Sequence, residues 1–149
     1  MKRFVFSLES LLKYKGTVER KQQADLSMAQ AVLNRLLELL ARMDAQFARN
    51  AEEMERLLNE QSSAQKLEQY SNYMRHLTQD RHALLARIAE AEEEVHRCQE
   101  ALIATMKELK TLGNLKDEQY LRYLEEVRAE EAKEINDLVS YQTITAVDR

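Results

Sequence analysis

LSMAQAVLNRLLELLARMDAQFARNAEEMERL, residues 26–57, decides the fold. Leu26, Ala29, Leu33, Leu36, Leu40, Met43, Phe47, Asn50, Met54 and Leu57 alternate steps of three and four, with Asn50 the one polar member. That is an a/d heptad seam, the pattern that drives a helix against a partner helix. A second seam follows the short break Asn59–Ala64. It runs through Leu67, Tyr70, Met74, Leu77, Leu84, Ile88, Ala91, Val95, Cys98, Leu102, Leu109 and Leu112, with Arg81 and Thr105 filling two further positions.

If the chain folds back near residue 62, seam partners carry numbers that sum to about 124. Leu57 then meets Leu67, Leu40 meets Leu84, Leu36 meets Ile88, and Leu12 lies beside Leu112. The polar seam residues Asn50, opposite Met74, and Arg81, opposite Met43, are expected to fix register at a cost in stability. The spacing predicts an all-α fold: a long antiparallel two-helix coiled-coil hairpin with a C-terminal helical overhang. It forms a single domain over residues 1–149, with helix 1 over about 8–61, a turn at about 62–63, helix 2 over about 64–139 and a frayed tail at 140–149.

Composition supports this. The chain has no Pro, no Trp and two Gly, too few turn residues for a β-rich fold of 149 residues. Charged residues at 32% are interleaved with apolar ones at 44%, as in long helices. A net charge of −4 argues against nucleic acid as the main partner. The lone Cys98 sits on the second seam and reads as a small core residue in a reducing compartment. No apolar run approaches a membrane span, and Glu9 and Lys13 interrupt any signal-peptide pattern, so an intracellular protein without direct membrane insertion is expected.

Locally, Ser7 reads as the N-cap of helix 1, with Phe6 and Leu11 as a hydrophobic staple. Lys15, Glu19 and Gln22 occupy seam positions before Leu26, and Gly16 lies among them, so local stability is expected to be low from Lys15 to Asp25. Arg35, Arg42, Arg49 and Arg56 recur every seven residues on the outer face, a solvated stripe or a docking face for an acidic partner. Ser62 with Gln65 fits a capping box for helix 2. After Gly113–Asn114 the apolar letters slip phase, as in a stutter.

Catalytic parts are missing. Two isolated Gly cannot build a phosphate loop, one Cys excludes a multi-thiolate zinc site, and a two-helix coiled coil offers no concave pocket for its carboxylates. No enzyme activity, metal or cofactor is expected. The informative feature is the overhang from about 116 to about 139. Its apolar stripe Tyr120, Tyr123, Leu124 and Val127, continued by Ile135 and Leu138, has no expected partner within the chain and marks an interaction surface. Residues 116–149 carry nine acidic and five basic side chains, whereas the first 25 residues carry six basic and three acidic ones, so the two ends meet with opposite charge.

The opening Phe4, Phe6, Leu8, Glu9, Leu11, Leu12, Lys13 and Lys15 resembles the start of the flagellar export protein FliJ family. Leu67, Tyr70, Tyr73, Met74 and Leu77 resemble the start of its second helix, and the charged C-terminal helix from Tyr120 to Asp137 is similar in style. The resemblance spans essentially the whole chain. It implies a non-enzymatic stalk and chaperone-like component of flagellar type III protein export, serving flagellum assembly and motility. Its paired termini would enter the ring of the hexameric export ATPase, and it would contact the export-gate membrane protein and the substrate chaperones. It would be cytoplasmic, peripheral at the inner membrane. The ring-binding residues are then Phe4, Phe6, Leu8, Tyr120, Tyr123, Leu124 and Val127, and Tyr70, Tyr73 and His76 are assigned to gate contact. A stalk of a virulence secretion system and a self-assembling structural coiled coil are the alternative readings.

Overall fold

A computed structural model of the chain describes residues 2–61 and 63–148. The described residues form two long helices packed against each other and no strand: α1, Glu9–Asn59, and α2, Ala64–Val147. The fold class is the one the seams predict.

The backbone falls into two compact units. One is Arg20–Ile103; the other joins Met1–Glu19 with Ala104–Arg149. Both boundaries interrupt continuous helices, and the one on α1 lies inside the polar-seam stretch Lys15–Asp25.

In Arg20–Ile103 the seam residues face inward as the three-four spacing requires. Leu36, Leu84, Ile88 and Ala91 form a buried cluster, with Leu33, Leu40 and Met43 packed against it. Leu57, Leu77 and Val95 are buried further along the same seams. Phe47 is the least covered seam member on α1, at 39% exposed. Arg81 does not bury its guanidinium at its seam position; its Nε donates to Asp44 Oδ1 at 2.7 Å across the helices. The long side chain leaves its stem at the seam and carries the charge outward.

The helix ends depart from expectation. The N-cap expected at Ser7 is displaced, because Leu12 N donates to Leu8 O and Glu9 N donates to Phe6 O. Leu8 therefore takes the cap position, and Glu9 puts a carboxylate in the first turn, where the helix dipole favours it. Phe6 is buried, whereas Leu11, its expected staple partner, is 40% exposed. At the other end of α1, Gln61 adopts φ 53°, the left-handed conformation that commonly ends helices. The capping box at Ser62 lies outside the described residues. Ser63 caps α2: its Oγ and carbonyl oxygen both accept from Lys66 N, at 3.4 and 3.2 Å.

The C-terminal half of α2 brings larger corrections. The helix passes Gly113 and Asn114 unbroken and continues past residue 139 to Val147. With no Pro or Gly after 113, nothing in the sequence stops it, and Thr143 and Thr145 turn their hydroxyls onto the carbonyls of Val139 and Tyr141. Nor does the seam slip at once. Leu109, Leu112, Lys116, Gln119 and Tyr123 stay partly covered, still three and four apart. The apolar letters change phase because polar Lys116 and Gln119 occupy seam positions.

Candidate functional site

The unit formed by the chain ends brings most of the expected ring-facing residues together. Residues 2–6 are non-helical and form a strap along α2. The Phe4 ring meets Tyr120 edge-on, with centroids 5.2 Å apart, and lies 5.5 Å from Tyr123. Tyr120 and Tyr123 stack at 6.2 Å. These are the offset and edge-to-face geometries that aromatic quadrupoles favour. The Tyr123 hydroxyl donates to the Lys2 carbonyl at 2.7 Å, giving the strap a hydrogen bond to α2. Phe6, 5% exposed, anchors the strap where it turns into α1. Leu8, Leu124 and Val127 are partly covered.

This arrangement corrects the expected bare stripe. Tyr120 and Tyr123 have an intrachain partner, the strap, and the exposed segment begins only after Val127. From Arg128 to Asp148 every described residue is exposed. The stripe and the strap therefore present a composite surface: Tyr120, 45% exposed, remains open beside the half-covered Phe4, whereas Phe6 faces inward.

Charged side chains line the grooves beside the strap. One groove is lined by Lys2, Tyr123, Glu126, Val127 and Glu130. Another groove carries Arg3, Lys13 and Lys116 with Glu9. Lys116 Nζ lies 2.9 Å from Glu9 Oε2, which has no aligned hydrogen-bond partner among the described residues, so the contact is an ion pair. A second ion pair, Lys15 to Glu108, ties α1 to α2 deeper in the same unit. Glu9 and Lys116 escape a search for apolar spacing. The opposite net charge of the two chain ends is the one signal that points to them.

The three residues assigned to gate contact sit in Arg20–Ile103. Tyr70 is partly covered, while Tyr73 and His76 are exposed. Gln46 Nε2 donates to the Tyr73 hydroxyl, a cross-helix bond between positions flanking the seams. Tyr70 and Tyr73 line a shallow cleft with Gln69 and Asn50, whose Nδ2 is buried without a hydrogen-bond partner among the described residues.

Among the described residues no group of three metal-ligating side chains converges, and no helix is long and apolar enough to cross a membrane. What the surface offers is aromatic and ionic docking area.

Residues 4–147 match the model of a protein family described as flagellar FliJ protein. No curated protein and no solved structure matches the chain.

Proposed function

The chain belongs to the flagellar FliJ protein family, and from that premise we propose that it is a non-enzymatic stalk and chaperone-like component of flagellar protein export, engaging the hexameric export ATPase through its strap and aromatic stripe. The observation that carries this reading is the packing of Phe4 onto Tyr120 and Tyr123, which joins the two ends of the chain into one partly open aromatic surface beside grooves lined by acidic and basic side chains. A surface of this kind suits a protein partner: aromatic rings supply contact area at small entropic cost, and opposed charges set orientation.

In this reading Phe4, Leu8, Tyr120, Tyr123, Leu124 and Val127 face the ring, and Phe6 holds the strap in place. Tyr70, Tyr73 and His76 contact the export-gate membrane protein, an assignment supported by the exposed Tyr73 and His76. Substrate chaperones are further partners. The protein acts in the cytoplasm, peripheral at the inner membrane beneath the flagellum. The family's flagellar description favours this machine over a virulence secretion system. The test is stimulation of the export ATPase by a Tyr123→Ala, Val127→Ala variant that keeps its helical content; the proposal expects that stimulation to fall.

A further inference from the structure

The outer face of α1 in Arg20–Ile103 carries a basic row beside an apolar one. Arg35, Arg42 and Arg49 recur every seven residues, so in a heptad-phased helix they stay in line. Met28 continues that row, and Val32 and Leu39 stand three residues before Arg35 and Arg42, on the adjoining row. Met28, Val32 and Leu39 are 70%, 51% and 40% exposed, and all three arginines are exposed. Among the described residues no ion pair holds Arg35, Arg42 or Arg49, although Glu38 lies within helical reach of the first two.

The exposed end of α2 has the opposite pattern. Glu130, Glu134 and Asp137 follow i, i+4, i+7 spacing and form an acidic row, with Ile135 and Leu138 alongside. Ile135 and Leu138 are largely exposed, and no ion pair among the described residues holds the three acids. Glu130 and Asp137 stand seven residues apart, the same repeat as Arg35 and Arg42.

We propose that the Arg35–Arg42–Arg49 face of α1 is a docking surface for the acidic 130–138 segment of a second copy of this chain. Both faces are charged, oppositely, on the same seven-residue repeat. Each has apolar side chains beside its charged row that lose water on contact. None of these residues belongs to the Phe4–Tyr120–Tyr123 cluster, so this contact is independent of the ATPase assignment. Exposed ion pairs are individually weak and screened by salt, so the association dissociates on dilution and is salt-labile.

Sedimentation velocity of the full chain over a concentration series tests this at ionic strengths of about 0.05 and 0.5 M, which straddle the screening range. The expected result is self-association at low ionic strength that weakens on the order of tenfold at high ionic strength. Arg42→Glu with Arg49→Glu abolishes it, and adding Glu130→Arg with Asp137→Arg to the same chain restores it. Circular dichroism checks that each variant stays helical. A monomer at every concentration at low ionic strength overturns the proposal. So does self-association indifferent to salt and charge reversal, or a charge swap that fails to restore it.

Discussion

Asn50 shows how a polar seam residue trades stability for specificity. Among the described residues its Nδ2 is buried without a hydrogen-bond partner, and Met74, its expected seam partner, has no strong acceptor to offer. A buried unsatisfied donor costs about 1–3 kcal/mol. Asn50→Leu removes that cost and adds apolar contact, so the variant is expected to unfold at higher urea concentration, with a gain of about 1 kcal/mol or more; equal or lower stability contradicts the account. Cys98 is a second residue whose environment sets its chemistry. Burial pushes its thiol above the ordinary value, and the Glu94 carboxylate, 3.7 Å from Sγ, pushes it further the same way. The neutral thiol is favoured in the folded state, so its stabilising effect is complete below the ordinary thiol range and is lost as pH rises through the raised folded value. Since the thiolate is the nucleophile, alkylation by iodoacetamide near pH ~8.5 should run slower in the folded chain than in urea-unfolded chain. Glu94→Gln should recover part of the difference. Equal folded and unfolded rates would show that the thiol is not shifted.

At the scale of elements, a three-four repeat in α1 and another in α2 state which face of each helix is covered, and the cross-helix contacts follow from their register. Asp44–Arg81 in one unit, and Lys15–Glu108 and Glu9–Lys116 in the other, join residues whose numbers sum to about 124, while Gln46–Tyr73 crosses the helices more obliquely. The helix ends were harder to read. By residue type Ser7 and Ser62 are the expected caps, the second lying outside the described residues, and only the hydrogen bonds show Leu8 and Ser63 in cap positions. The covered path along α2 past Leu112 was hidden because Lys116 and Gln119 break the apolar pattern while keeping its spacing. Gly16 tests the energetics of α1. It is helical with φ below zero, and a Cβ added there would meet nothing within 4 Å. Gly16→Ala should therefore stabilise the chain by about 1 kcal/mol through helix propensity alone. Amide exchange should slow across residues 15–25 in the variant; unchanged exchange there would mean that the glycine does not limit local stability.

For the molecule as a whole, the sequence states the two seams and the opposite charge of the chain ends, and the family match gives the machine in which such a chain works. What it does not state is that the strap covers part of the aromatic stripe. Phe4 has no periodic position to reveal its contact, because residues 2–6 are not helical. The contact changes the candidate site from a bare helical stripe into a surface built from both chain ends, with Phe6 as its anchor and Tyr123 holding the strap through Lys2. The central claim, that this surface engages the export ATPase, is tested most directly by the rate of ATP hydrolysis of the purified ATPase titrated with the wild-type chain and with the Tyr123→Ala, Val127→Ala variant. The account predicts that the folded variant loses most of the stimulation, on the order of tenfold, since truncating central aromatic contacts typically costs about 1–2 kcal/mol or more. A helical variant that stimulates as well as the wild type would contradict it.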